Sequence, residues 1–200
     1  NANQIKAIGC HGQTVFHAPD GEFPFSMQLL NASVLSANTG ISTVSDFRSM
    51  DIALGGQGAP LVPIGDKLLF HEYDFCLNLG GISNISFDKD GQRTAYDIGL
   101  ANMPLNYITH KMGLAYDENG KLARSGKLDH SLLQKLNNLK YYDLPYPKST
   151  GYEWFVSEIV PLIEASEISS EDLLHTFIHH NCEQIAFAAL KHKGNGKSNS

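Results

Sequence analysis

Apolar and polar positions alternate most regularly between Phe75 and Phe87. Phe75, Leu77 and Leu79 interleave with Cys76 and Asn78, and the pattern resumes at Ile82, Ile85 and Phe87 after Gly80-Gly81. A period of two interrupted by a glycine pair predicts two antiparallel strands meeting at a tight turn. Asp88-Lys89-Asp90-Gly91 predicts a second turn, and Thr94 to Tyr96 a third short strand that ends on Asp97. Gly99 follows, then a helix from Asn102 to Met112 with Met103, Tyr107 and Ile108 on its core face and Gly113 as its stop. A carboxylate at a strand's end, beside a glycine turn and a helix start, suits ligand chemistry in α/β proteins. Asp97 could equally serve as a turn or helix cap.

Upstream, Ile5–Cys10 reads as a strand, Phe25–Leu30 as a second, Ala32–Thr39 as a helix closed by Gly40, and Ile41–Val44 as a further β-run. Polar residues gather where these strands end. His11-Gly12-Gln13-Thr14 follows the first, forming a polar ligand loop or side chains satisfied by nearby backbone. Asp46 and Arg48 follow the last; two apart on an extended chain they share a side, as a salt bridge or with Arg48 gripping an anion. Gly55, Gly56 and Gly58, ahead of Pro60 and Pro63, rule out regular structure and mark a close-approach loop at a domain hinge. This loop matches neither phosphate-loop nor dinucleotide-loop spacing.

Downstream, a helix is expected over about Asp129 to Leu139, with Leu132, Leu133 and Leu136 inward, then an aromatic, proline-rich connection over Lys140–Pro147. Lys148-Ser149-Thr150-Gly151 precedes a helix carrying Trp154, Phe155, Ile159 and Leu162, and is either a phosphate grip or a helix cap. A last helix opens at Ser169 with Leu173, Leu174, Phe177, Ile178, Ile185, Phe187 and Leu190 as core positions. A polar, glycine-rich tail over 193–200 is expected to be disordered.

Composition changes this picture little. At 42% hydrophobic and 18% charged, 200 residues make one ordinary domain or pieces of two. A net charge of −6 and a pI near 5.8 argue against nucleic acid or an anionic membrane as partner. No apolar run is long enough to span a bilayer, and no signal peptide is expected from the opening residues. Cys10, Cys76 and Cys182 are dispersed and expected to be reduced in a cytoplasmic protein. The nine histidines lack metal-site spacing, and no metal ligands are assigned. The abrupt opening strand and the final helix with no strand after it give the chain the look of a fragment.

Five stretches, in order, carry a resemblance. They are Ile8 to Val15, Val44 to Arg48, Asp51 to Pro63, Leu77 to Asn84 and Pro147 to Gly151. Together they resemble the anhydro-N-acetylmuramic acid kinases across roughly residues 5 to 190. The resemblance implies an α/β fold of the actin/hexokinase (ribonuclease H-like) type, a two-domain sugar kinase present here as a partial chain. Residues 1–70 would belong to the first actin-like domain and 71–192 to the second. It implies ATP-dependent hydrolytic opening and 6-phosphorylation of 1,6-anhydro-N-acetylmuramic acid during cell-wall (peptidoglycan) recycling, with Mg2+, and a homodimer. Asp97 aligns with the aspartate that activates water. His11, Gln13, Asp46, Arg48, Gln57, Asn84 and Asn102 are expected on the sugar side, and Gly80, Gly81, Lys148, Ser149 and Thr150 on the phosphate or nucleotide side.

Two departures stand out. The family's D-x-G-P-G-N reads Asp97-Ile98-Gly99-Leu100-Ala101-Asn102, losing a proline and a glycine. The amino-terminal S-G-T-S-x-D-G loop and a later glycine-rich segment are absent, so the chain alone is expected to bind ATP poorly and to turn over little. A non-catalytic sugar-binding or regulatory relative is the alternative expectation. A carboxylate kinase of the same fold leaves His11 to Thr14 and Gly55 to Pro63 unexplained.

Overall fold

A computed structural model of the chain describes residues 4–19 and 21–193. The expected tail, from residue 194 onward, lies outside the described residues. The fold is mixed α/β and divides into two compact units, the first ending at Val62 and the second beginning at Pro63.

In the first unit β1 (Ile8–Gly9) leads into an antiparallel hairpin of β2 (Gln13–Ala18) and β3 (Phe25–Leu29), bulged between Thr14 and Phe16. Helix α1 (Ala32–Thr39) is capped by Asn31, whose Oδ1 accepts from the Val34 N–H at 3.0 Å. It returns the chain to β4 (Thr43–Val44), which pairs in parallel with β1, and α2 (Ser49–Ala53) follows. The opening strand is shorter than Ile5–Cys10, and Gln13 and Thr14, read as loop, begin β2 instead. The alternation of Thr14, Phe16 and His17 across a bulge hides its period.

Helix α3 (Val62–Leu69) starts at the last residue of the first unit and otherwise belongs to the second; it is unforeseen because Pro63 reads as part of the glycine-rich loop. Proline is tolerated in a helix's first turn, where its missing N–H has no partner to lose. The sheet that follows runs in the order β5 (Phe75–Leu79), β6 (Ile82–Lys89), β7 (Gln92–Leu100), all antiparallel. Helices α4 (Asn102–Lys111), α5 (Lys121–Ser125), α6 (His130–Asn137) and α7 (Lys140–Asp143) come next. Then α8 (Tyr152–Trp154) passes through a π-helical turn (Phe155–Ile159) into α9 (Val160–Glu164), and α10 (Ser170–His192) ends the described chain.

β7 is three times as long as the strand expected over Thr94–Tyr96, because the ladder with β6 continues to Leu100 opposite Ile82. Gly99 does not end it. The Tyr142 hydroxyl lies 2.8 Å from where a Gly99 Cβ would sit, so glycine is there for a close approach and not for a turn. Asp97 therefore lies inside a strand.

Cross-strand partners share a face. One face of the sheet buries Ile85, Phe87, Tyr96 and Ile98 with Ala188 of α10. A second cluster joins Leu100, Ile108, Leu132, Leu136, Leu174 and Phe177 between the sheet end and the helices. Leu136 and Leu174 are fully buried, which stabilises the unit by about 2–3 kcal/mol each. On α10 the expected core is narrower than its sequence: Phe187 and Leu190 are 64% and 63% exposed, and Ile178 is 36% exposed. Their places are taken by the buried polar residues Thr176, His180 and His192.

Candidate functional site

The candidates separate into one group in each unit. In the first, Arg48 is the hub. Its Nε donates to His11 Nε2 at 2.8 Å and its Nη1 to the Gly58 carbonyl at 2.6 Å. His11 Nδ1 lies 2.9 Å from the Gly12 carbonyl, so a ring that accepts at Nε2 carries its proton on Nδ1. Asp51 holds the glycine loop from the other side: its Oδ2 accepts the Gly58 N–H at 2.6 Å, and its carbonyl the Gly56 N–H at 2.7 Å. Gln57 is thus carried on a loop fixed at both shoulders.

Asp46 and Arg48 do not share a side. Asp46 has φ of 56° and Arg48 is already helical, so the extended spacing argument fails at the turn into α2. Asp46 instead accepts from the Ser49 N–H at 3.3 Å and Oγ at 2.6 Å. Asp46, Ser49 and His11, with Ser26 and Gln28 of β3, line a polar hollow of ≈ 220 Å³ walled by Met27 and Leu30. Ser26 and Gln28 carried no sequence signal, because alternation on β3 marks them only as a strand's polar side. Gln13 is exposed, its Nε2 donating weakly to the Thr14 carbonyl at 3.4 Å.

In the second unit Asp97 is the centre. Its N–H donates to the Lys148 carbonyl at 3.0 Å, its own carbonyl accepts from the Tyr141 hydroxyl at 2.6 Å, and its Oδ2 accepts from the Thr150 N–H at 3.0 Å. The residue is 9% exposed, and burial pushes its carboxyl up to about 6 from an ordinary 3.8, against the lowering effect of the Thr150 N–H. Asn84 lies directly opposite Asp97, and Asn78 opposite Asn84, making a polar row across the sheet. Asn78 belongs to the same Leu77 to Asn84 stretch as the sequence candidates and was passed over. Tyr141, by contrast, had no signal at all: it is 44 residues from Asp97 along the chain.

The remaining candidates divide. Lys148 and Thr150 meet Asp97, and Ser149 lies exposed between them. The Lys148 ammonium is turned back onto the Tyr141 and Tyr142 carbonyls at 2.9 and 3.4 Å, and burial, then the charge of Lys191, lowers its pKa. Gly80, Gly81 and Asn102 form a separate knot at the β5–β6 turn. The Gly80 carbonyl accepts from the Asn102 N–H at 3.1 Å and Nδ2 at 2.9 Å, and the Gly81 carbonyl from the N–H groups of Ala101 and Met103 at 2.8 and 3.1 Å. The first N–H groups of α4 are thereby spent on the glycine turn and are not offered to an anion. Leu100 and Ala101, where the chain departs from the family motif, are 4% and 6% exposed, and Leu100 packs into the second core cluster.

Among the described residues no group of three or more His, Cys, Asp or Glu side chains is placed to hold a metal, and no helix is long and apolar enough to cross a membrane.

A carboxyl buried beside a polar row, titrating close to neutrality, can take a proton from water or a hydroxyl. Comparison with known proteins gives this arrangement a context. The family profile described as "Anhydro-N-acetylmuramic acid kinase" matches residues 1–198. A protein of that name from Aliivibrio fischeri is 51% identical over 196 residues, covering 95% of this chain and 53% of the relative. One from Haemophilus influenzae is 49% identical over 158 residues, covering 76% and 41%, and one from Photobacterium profundum 40% identical over 202 residues, covering 98% and 54%. The chain spans about half the length of the curated relatives it matches.

Proposed function

The chain belongs to the anhydro-N-acetylmuramic acid kinase family, and from that premise we propose that it supplies the base and part of the sugar cleft of an ATP-dependent sugar kinase. The reaction proposed is hydrolytic opening and 6-phosphorylation of 1,6-anhydro-N-acetylmuramic acid to N-acetylmuramic acid 6-phosphate, as cell-wall recycling requires. Asp97 takes a proton from water as the water oxygen bonds to the anomeric carbon. The bond from that carbon to O6 breaks, and the freed O6 attacks the γ-phosphorus of ATP, releasing ADP.

The single observation that carries this reading is the state of Asp97. A carboxyl at about 6 is still ionised at neutral pH and is a stronger base than an ordinary aspartate. Thr150 holds one oxygen of the carboxylate by its N–H, fixing the orientation. Asn84, opposite on the strand ladder, adds an amide to the same face. The hollow lined by His11, Asp46 and Ser49 is proposed as a sugar-hydroxyl surface, and Arg48, Gln13 and Gln57 are proposed as further sugar contacts. The Gly80-Gly81 turn is proposed on the nucleotide side.

The described residues offer magnesium no dedicated cage. Mg2+ that accompanies ATP is coordinated mainly by phosphate and water and needs few protein carboxylates, so no protein ligand and no step is assigned to it. The two units are read as portions of two actin-like domains, and a cytoplasmic homodimer is part of the same proposal; sedimentation as a monomer would remove the dimer from it.

The test is ATP-dependent phosphorylation of the anhydro sugar by a protein of the relatives' full length, wild type against Asp97→Asn. Turnover is expected to fall by about 10³-fold in the variant. Persistent turnover would place the base elsewhere and leave the family membership standing. Sugar binding without turnover in either protein would favour the non-catalytic reading.

A further inference from the structure

We infer that Lys148 is a positioning residue for Asp97: its ammonium closes the 141–150 segment on itself, so that Tyr141 and Thr150 reach the aspartate together. This inference rests on the reading of Asp97 as the base.

The geometry is that of a clamp. Three hydrogen bonds to Asp97 come from one short segment: the Tyr141 hydroxyl to its carbonyl, its N–H to the Lys148 carbonyl, and the Thr150 N–H to Oδ2. Main chain and carboxylate are both fixed, which a single contact could not do. The segment has no regular structure after α7 ends at Asp143, so something must hold its two ends at their spacing. Lys148 does so. Its Nζ spans back to the Tyr141 and Tyr142 carbonyls and lies 4.4 Å from the Tyr141 ring centroid.

The contacts of that ammonium favour an inward role over a phosphate grip. Two of its three donors are taken by carbonyls at the last turn of α7. Those carbonyls lie at a helix end, where a cation is favoured, and the Tyr141 carbonyl also accepts from the Leu144 N–H at 3.2 Å. Tyr142 is itself fixed: its hydroxyl meets His180 Nε2 at 2.8 Å, and His180 Nδ1 meets Asn137 Oδ1 at 2.6 Å, inside the core. Burial lowers the His180 pKa to about 4, so this ring is neutral and serves as a rigid spacer at physiological pH. The Lys148 clamp is thus anchored on a side chain hydrogen-bonded into the buried core. Opening it would admit water to Asp97 and let the carboxyl relax toward an ordinary aspartate.

The experiment uses protein of the relatives' full length, wild type and Lys148→Met, with Asp97→Asn to assign the Asp97 carboxyl resonance. Carboxyl NMR titration is expected to show the Asp97 midpoint move down from about 6 by roughly a unit in Lys148→Met. Hydrogen exchange at the Asp97 and Thr150 amides is expected to quicken about tenfold. Turnover should fall about tenfold, with its acidic limb moving to lower pH, while the KM for ATP stays within about twofold.

An unchanged Asp97 midpoint with a KM for ATP raised about tenfold would make Lys148 a phosphate ligand and overturn the inference. Should Lys148→Met fail to fold, Tyr141→Phe removes one hydroxyl from the same clamp. It is expected to move the midpoint in the same direction by less, and an unmoved midpoint there overturns the inference as well. Retained turnover in Asp97→Asn sinks the base reading alone; the titration and exchange measurements still decide the clamp.

Discussion

In the first unit Arg48 ties His11 to the glycine loop on a frame whose hairpin leaves Phe16, Phe25 and Leu29 between 47% and 61% exposed. In the second, Asp97 rides a strand whose opposite face is packed under α10, beside residues such as Phe87 at 1% exposure. Ile52 is the buried hydrophobic of the first unit among the described residues; the rest of the buried apolar set is in the second. Polar candidates are therefore held in two physically different ways. One group relies on charge-assisted and main-chain hydrogen bonds with glycine geometry, and the other on a strand backed by a dry core. Only the second arrangement excludes enough water to shift a carboxylate strongly, as Asp97 shows.

The largest effect that would break this contrast is a core deletion. Leu174 is fully buried between the helices that back β7, and Leu174→Ala is expected to cost about 2–5 kcal/mol in chemical denaturation. Leu29→Ala in the first unit, at a side chain 61% exposed, is expected to cost less than about 0.5 kcal/mol. Equal losses in the two variants would show that the first unit has a core of its own that burial does not reveal.

Next in size is a gain. The Asp97 carboxyl titrates at about 6 in the folded chain and near 3.8 when unfolded, so its contribution to stability is fully present below 3.8 and is lost as pH rises through 6. Asparagine keeps an oxygen for the Thr150 N–H and carries no charge. Asp97→Asn is therefore expected to be more stable than wild type by about 2–3 kcal/mol at pH 8, with the advantage vanishing by about pH 4. A difference that stays flat with pH would mean that Asp97 is solvated in the free protein, and the proposed base would lose its physical support.

How much of this was legible follows the same division. The β5–β6 pairing and its glycine turn were readable, because period-two alternation and a glycine pair leave few alternatives, although β6 runs on through Asp88 and Lys89, which read as turn. Helices α1, α4 and α6 were readable from apolar spacing and their stops. Asp97 was found, but its strand was cut short: Gly99 reads as a turn until Tyr142, far along the chain, is seen to occupy the space beside it. Asp97's partners were in view as Lys148 and Thr150, and assigned to phosphate, since sequence gives a residue's type and not its direction. Tyr141 was invisible for a different reason, because a tyrosine in an aromatic stretch reads as packing until its hydroxyl is located. The pairing of Arg48 with His11 rather than with Asp46 depended on one left-handed residue at Asp46, which local spacing does not announce.

The smallest effect tests whether the first unit's group is held as tightly as its bonds suggest. Gly58 has φ of +63°, where a side chain is strained, and a Cβ there would lie 2.8 Å from Ile52 Cγ1. Its N–H and carbonyl are the points at which the Asp51 carboxylate and the Arg48 guanidinium grip the loop. Gly58→Ala is expected to cost about 1–2 kcal/mol, from the left-handed backbone alone, before Ile52 adjusts. Because no packed core transmits the change, the loss should stay local. Exchange at the Gly56 and Gly58 amides should quicken, and the Arg48 Nε resonance should lose its contact with the His11 ring, while amides on β6 and β7 keep their protection. Among the described residues Ile52 is the buried apolar side chain that the glycine loop meets in this unit, so a strong response at Ile52 with Arg48 unmoved would reverse the assignment. The loop would then be held by packing, as in the second unit, and the polar network would follow from it and not the other way round.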